Sequence, residues 1–176
     1  MALLESVQVD VFPESVDGFV SLGDHVARTP QGAAAMMIVG LLLYAQDEQV
    51  GQQCLAAIVD HGRLQEGHKG YQGWQLRTSD LQLIRTQVKG KAYLLQSYVK
   101  GTSPQNGYQL PEPPYVFEFS DNPHSGDANS GPYKVFVPSS GADTPRPVTV
   151  KRDPESGVWR VSEWSSLIVG IRKPEA

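Results

Sequence analysis

The chain has 176 residues, of which 40% are hydrophobic and 19% are charged, and its formal net charge at pH 7 is −4. This length suits one domain, which we expect to span residues 1–176. The apolar content is sufficient for one core and too high for a disordered chain. The single cysteine, Cys54, excludes an internal disulfide framework and favours a reducing compartment.

Charge is distributed unevenly along the chain. Residues 1–62 carry eight acidic side chains and one basic one, whereas residues 63–100 carry seven basic and two acidic ones. We predict that these acidic and basic segments face each other within the fold; the alternative is that the basic segment meets an acidic partner. Because the chain as a whole is acidic, with a pI of about 5.5, nucleic-acid binding is not expected.

The longest apolar run covers residues 33–45, which is 13 residues. A membrane-spanning helix needs about 18 or more, so the run predicts a buried core helix and no membrane segment. The first residues carry Glu5 and Asp10 and lack the basic start of a signal peptide. We therefore expect a cytoplasmic protein.

The first half of the chain predicts helices, from about residue 14 to residue 98. Its clearest start signal is Thr29 followed by Pro30. A threonine suits the N-cap of a helix, and proline suits the first helical position, where no N–H partner is needed. The apolar run 33–45 would then be the central core helix, buried on most of its surface.

Later boundaries in this half depend on weaker signals. Gly62 is a plausible C-cap for the helix after the core helix. Residues 63–77 contain three glycines and no clear period, and we predict a loop there. The next helix is expected to begin with Thr78 or Ser79 as its cap.

In the second half, from about residue 108 to residue 172, the hydrophobic period becomes two. Alternate residues of the stretch 133–137 are apolar, and Asp153–Gly157 has the composition of a hairpin turn. Helices first and strands afterwards predict an α+β fold. In that fold the N-terminal helices pack on one face of a small C-terminal antiparallel sheet of about four strands.

Four stretches in this half carry a family resemblance. They are "YVKGTSPQNGY", "SDNPHSG", "SSGADTPRPVTV" and "GVWRVSEWSSLIVGIRKP". Together and in this order they resemble an uncharacterised bacterial family, a domain of unknown function. Its members are small proteins with a helical first half and a second half punctuated by Gly, Pro and Asn. The resemblance implies a fold unit and a bacterial source, and it implies no catalytic residue.

Chemical motifs are sparse. The sequence has no Gly-x-Ser-x-Gly elbow, and no histidine lies near the Ser-Ser-Gly stretch 139–141, so we expect no enzymatic activity and no cofactor. The residues that a calcium-like metal site would use are Asp121, Asn122 and Asp127, which supply hard oxygen donors. The same residue types form turns, so we predict turns there and no metal site.

The remaining class is a non-enzymatic protein-interaction or structural accessory module of a bacterial cytoplasmic system. Its partner would be another, unidentified protein, and a homo-oligomer is also open. The alternatives are a small-ligand or calcium-like binding domain, or an enzyme of unrecognised class. Five residues in the loops and at the strand ends are the candidate partner-binding residues, because their side chains suit recognition: Asn106, Tyr108, Asp143, Arg146 and Trp164.

Arg146 is the most specific of these candidates. It lies between Pro145 and Pro147, which stiffen the backbone and present the guanidinium at low ordering cost. Two roles are open for it. It either pairs with Asp143 or an acid of residues 101–132 and fastens the loop, or it contacts a carboxylate or phosphate of a partner.

Overall fold

One buried helix forms the centre of the protein. The computed structural model describes residues 1–175, and in it helix α2 spans Pro30–Gln46 and is buried from Gln31 to Tyr44. The Thr29 hydroxyl accepts a hydrogen bond from the Gly32 N–H at 3.0 Å, and Pro30 occupies the first turn. The predicted core helix and its start are confirmed. None of the described helices is both long and apolar enough to cross a membrane.

In the described part of the chain, four further α-helices pack against α2. They are α1 (Val16–Val26), α3 (Glu48–Ile58), α4 (Thr78–Val88) and α5 (Tyr93–Gln96). Asp47 both ends α2 and caps α3, since its side chain accepts from the Val50 N–H at 3.2 Å. This shared residue makes α2 and α3 a tight helical pair.

Two predicted helix boundaries are wrong. The helix that was expected to end at Gly62 ends at Ile58, and Gly62 lies in a short 3₁₀ turn that follows. Helix α4 begins after Arg77 with no side-chain cap, so neither Thr78 nor Ser79 caps it. Helix α3 therefore ends, and helix α4 begins, earlier in the chain than the local residue types indicate.

Within residues 1–175, nine strands form three sheets. They are β1 (Ala2–Leu3), β2 (Val7–Val9), β3 (Leu64–Tyr71), β4 (Trp74–Leu76), β5 (Tyr115–Phe117), β6 (Ser120–Asp121), β7 (Tyr133–Val137), β8 (Arg146–Arg152) and β9 (Trp159–Glu163). The main sheet is antiparallel in the order β1-β6-β7-β8-β9, and β2-β5 and β3-β4 are separate antiparallel pairs. The α+β class is confirmed, with a fifth strand supplied by the N-terminus.

The inner face of the main sheet packs on α2. Its side chains alternate along the strands as the period of two predicts, and the buried set is Tyr133, Val135, Val137, Val148, Val150, Trp159 and Val161. The turn between β8 and β9 is the predicted one, closed by a hydrogen bond from the Gly157 N–H to the Asp153 carbonyl at 2.8 Å. Gly157 has φ 77°, which favours glycine.

The predicted loop at residues 63–77 is instead the hairpin β3–β4. Its turn residues, Gln72 and Gly73, both have positive φ, 53° and 83°, as in a type I′ hairpin turn. The pairing register shifts between Glu66 and Tyr71, so the strand bulges there. This irregularity removes the alternation by which a strand is recognised in a sequence.

Acidic and basic segments meet within the fold. Glu48, from the acidic first segment, lies 3.6 Å from Arg85 and 3.3 Å from Lys89 of the basic segment. Lys100, also basic, lies 3.7 Å from Glu118 of the second acidic segment. Burial works against ionisation of Glu48, but hydrogen bonds from Lys89 and Tyr44 outweigh it and hold the Glu48 pKa below its usual value. The predicted internal pairing therefore occurs.

The outer edge of β9 is covered by the ends of two helices. The Trp159 N–H donates to the Ala27 carbonyl at 2.8 Å, and the Asp60 N–H donates to the Val161 carbonyl at 2.7 Å. Such cover protects an edge strand from pairing with other chains. It also brings the ends of α1 and α3 beside the turn between β8 and β9.

Candidate functional site

A groove of about 650 Å³ opens where these elements meet. It is bounded by α1, by the end of α3, by the β3–β4 hairpin and by the β8–β9 hairpin. Two arginines link the elements that bound the groove. Arg28 donates to the Ser156 carbonyl at 2.7 Å, and Arg160 donates to the Ala57 carbonyl at 2.6 Å. The walls of the groove are therefore tied to each other across long stretches of sequence.

The floor of the groove is apolar. Phe19 and Gly23 come from α1, Ala56 from α3, and Val158 from the position just before β9. All four are buried, and Phe19 is only 2% exposed. A floor of this kind offers apolar contact and no side-chain hydrogen bond, so it suits an apolar group of a ligand.

Aromatic side chains form one lip of the groove. Trp74 is half-buried and meets the His61 ring edge-on, with 4.1 Å between ring centroids. Tyr71 is half-buried beside it, and Gln72 is exposed at the tip of the hairpin. Of the three tryptophans, Trp74 alone is partly exposed. An amphipathic ring held in this way is a typical anchor for recognition.

The two sides of the groove carry opposite charge. Asp24 and Asp60 lie on the side of α1 and α3, whereas Lys151 and Arg152 lie on the side of β8. Within residues 1–175, neither Asp24, Lys151 nor Arg152 has an ion-pair partner within 4.0 Å. These side chains are exposed, so they are available to a charged ligand.

Polar groups beside the groove are engaged in turns. The Ser156 hydroxyl donates to Asp153 at 2.9 Å, and an Asp60 oxygen accepts from the Gly62 N–H at 3.3 Å. These groups complete turns, and no histidine lies in hydrogen-bond contact with Ser156 among the described residues. Cys54 lies in the core, where burial raises its pKa to about 12 and keeps the thiol protonated.

The predicted loop residues at 106 and 108 hold their own turn. Asn106 accepts hydrogen bonds through its side-chain oxygen from the Ser103 and Gln109 N–H groups, at 3.1 and 3.2 Å. Tyr108 is fully buried, and its hydroxyl donates to the Arg172 carbonyl at 2.6 Å. Burial leaves no Tyr108 surface for a partner while the segment around Arg172 stays in place.

Arg146 and Asp143 do not pair with each other. Arg146 donates to the Gly170 carbonyl at 3.1 Å and makes no ion pair with a described carboxylate. Of its two open roles, the pairing with Asp143 or with an acid of residues 101–132 therefore does not occur. Asp143 instead lies 2.9 Å from Arg172. Arg146 does fasten a segment, but it does so through a main-chain carbonyl.

Trp164 belongs to the core rather than to an exposed surface. It is 2% exposed, and the Arg63 guanidinium lies over its ring, 5.1 Å from the centroid. Arg63 also donates to the Ser162 carbonyl at 2.7 Å. The arginine covers the indole, so Trp164 is not placed to contact a partner.

Of the three residues considered for a calcium-like site, Asn122 and Asp127 take part in turns as predicted, whereas Asp121 lies in strand β6, so the turn predicted there is wrong. Asp121 accepts from the Tyr133 hydroxyl, and Asn122 accepts from the His124 N–H at 2.8 Å. Asp127 accepts from the Ser130 hydroxyl at 2.7 Å and from the Asn129 N–H at 2.8 Å, and these hydrogen bonds hold its pKa below the usual value. Across residues 1–175, no three histidine, cysteine, aspartate or glutamate side chains converge as metal ligands would.

Sequence reasoning did not find the groove because its residues come from four separate stretches. Phe19, Trp74 and Lys151 are far apart in the chain and meet only after the hairpins dock. One local signal was present. The Tyr-Gln-Gly-Trp stretch, residues 71–74, has a turn pair between two aromatic residues, which is a hairpin pattern with an exposed tip.

Fold and groove together define a small α+β domain that carries an open, apolar-floored groove with oppositely charged sides. The chain belongs to a known family: the family model described as "Domain of unknown function (DUF6935)" matches residues 11–175. The comparisons with curated proteins and with solved structures found no match.

Proposed function

We propose that this protein is a non-enzymatic binding module of a bacterial cytoplasmic system, and that its groove takes a segment of another protein. The observation that carries the proposal is the partly exposed Trp74 beside an apolar floor, between sides of opposite charge. Aromatic anchors surrounded by polar rims supply most of the binding energy at protein interfaces.

The chemistry of the groove limits which residue types the partner segment can carry. An aliphatic or aromatic side chain would enter between Trp74 and the floor residue Phe19. Acidic groups on one side of that anchor would meet Lys151 and Arg152, and a basic group on the other side would meet Asp24. We therefore propose an amphipathic segment with a central apolar residue, flanked by charges of both signs.

A small molecule is the second candidate for the same groove. The volume of about 650 Å³ falls within the range of small-molecule pockets. A polypeptide is favoured over a small molecule, because four elements line the groove and it opens to solvent between exposed side chains. A metabolite that stabilised the wild-type protein and not Trp74→Ala would favour the small molecule instead.

Selection of displayed peptides tests the proposal. A random peptide library is selected on the immobilised protein, and the enriched peptides are titrated by fluorescence anisotropy. We expect one consensus with an apolar anchor and a loss of affinity of about tenfold or more with Trp74→Ala. Circular dichroism checks that this variant keeps its fold.

Charge variants provide the matched control. Lys151→Glu should weaken peptides that carry acidic flanks, whereas Lys134→Glu, an exposed change in the same sheet but outside the groove, should leave affinity unchanged. No consensus, or equal binding by wild type and a folded Trp74→Ala variant, would contradict the proposal.

A further inference from the structure

The segment Gly170–Glu175 lies as a strap across two loops, 103–108 and 141–146, which contain four of the five candidate partner-binding residues. The Arg172 N–H donates to the Gly141 carbonyl at 2.9 Å, and the Glu175 N–H donates to the Pro104 carbonyl at 2.9 Å. The chain's own strap therefore covers both loops.

One side chain anchors the strap. Ile171 is 8% exposed, whereas the other five strap residues are exposed. Its pocket depends on Gly141, since a Cβ there would overlap the Tyr108 hydroxyl and lie 2.8 Å from Ile171 Cγ2. The pocket thus accepts a branched aliphatic side chain against a bare backbone.

The remaining contacts bind the main chain of the strap and one of its charged side chains, Arg172. The Tyr108 hydroxyl donates to the Arg172 carbonyl at 2.6 Å, and Arg146 donates to the Gly170 carbonyl at 3.1 Å. Arg172 lies 2.9 Å from Asp143. Main-chain hydrogen bonds combined with one side-chain pocket are how proteins bind extended peptides.

The strap buries little of its own surface. It buries one side chain, and its ion pair is exposed, with Asp143 at 90% side-chain exposure. Exposed ion pairs contribute little, and segments with few buried contacts open locally at low free energy. Gly170, at φ 71°, lies where the strap leaves the core.

We propose that the surface formed by residues 103–108 and 141–146 is a second binding site, for an extended segment of a partner protein in which an aliphatic residue precedes an arginine. The strap occupies this site in cis, and the partner segment replaces it when it opens. This site is separate from the groove. The groove lies at the Arg152 end of β8 and the strap at the Arg146 end. Strand β8 is seven residues long, so these ends are about 20 Å apart.

A labelled peptide with the sequence of residues 169–175 tests this inference on the full-length protein. In the wild type the strap competes, so binding should be weak. Ile171→Asp in the protein removes the anchor of the strap and leaves the pocket, and the wild-type peptide should then bind about tenfold tighter or more. A peptide with Ile171→Asp should not bind either protein.

Charge reversal makes the test specific. In the Ile171→Asp protein, the added change Asp143→Arg should weaken the wild-type peptide, and a peptide with Arg172→Asp should recover affinity. The inference would be overturned if a folded Ile171→Asp protein failed to bind the wild-type peptide, or bound the wild-type and Ile171→Asp peptides equally well.

Hydrogen exchange on the wild-type protein covers the case in which Ile171→Asp does not fold. We expect the Arg172 and Glu175 amides to exchange far faster than amides of α2, through local opening of the strap. Exchange of these amides only with global unfolding would show that the strap is a fixed part of the core, and the inference would fail.

Discussion

Gln72 holds a backbone conformation that its side chain disfavours. Its φ of 53° lies in the left-handed region, where an L-residue costs about 1–2 kcal/mol, and a β-branched residue is the worst case. We predict that Gln72→Val lowers the free energy of unfolding by about 1 kcal/mol or more, and that Gln72→Gly leaves it unchanged or raises it. Urea unfolding measures both.

The control for this position is Gln65→Val in the same hairpin. Gln65 has no positive φ, and valine suits a strand, so its effect should stay within about 0.5 kcal/mol. Equal destabilisation by the valine changes at 65 and 72 would show that the turn geometry carries no special cost.

Glu163 gives a prediction for pH. Burial works against its ionisation, but the Ser165 backbone N–H and hydroxyl, together with Arg63, outweigh it and hold the Glu163 pKa below its usual value. A pKa lowered by folding contributes stability above the unfolded pKa of about 4.3, and this stability is lost as pH falls through the folded pKa.

We therefore expect Glu163→Gln to lower the free energy of unfolding at pH 7 by about 0.5 kcal/mol, the scale of an exposed pair, because half of this side chain is exposed. The gap between variant and wild type should close below about pH 4. Thermal unfolding across the pH range measures it, and a gap that widened in acid would contradict the assignment.

A substitution in helix α2 can test whether this helix forms the core. Leu42 is 2% exposed, so Leu42→Asp would bury an unpaired charge and should lower the free energy of unfolding by several kcal/mol. Gln46→Glu, at the exposed end of the same helix, should change it by about 0.5 kcal/mol or less. A Leu42→Asp protein that kept its melting temperature would show that α2 is not the core.

Elements with a regular period and a clear cap were predictable from sequence. The Thr29–Pro30 start and the alternation over 133–137 depend on neighbouring residues only, so they survive in the structure. The β3–β4 hairpin was missed because its bulge interrupts the period and its turn places Gln72, rather than Asn or Gly, at positive φ. Strand β1 was missed because its partner, Ser120–Asp121, is far away in the chain.

At the scale of the whole molecule, the sites depend on contacts that no local pattern records. Four of the five candidate partner-binding residues lie in the loops 103–108 and 141–146, but the sequence could not show that Gly170–Glu175 lies on these loops. The residue types of Tyr108 and Trp164 suit recognition, but tertiary packing buries both. The groove needs the docking of two hairpins against α1 and α3, and only the folded chain brings these together.

The central claim is that this groove, with Trp74 on its lip, is where the protein binds its partner segment. Amide chemical-shift mapping with the selected peptide tests it most directly. We predict shifts concentrated in residues 19–24, 56–61, 71–74 and 151–160, which line the groove, and few elsewhere. Shifts centred on the strap loops or on the outer face of the sheet, with the groove unchanged, would contradict the claim.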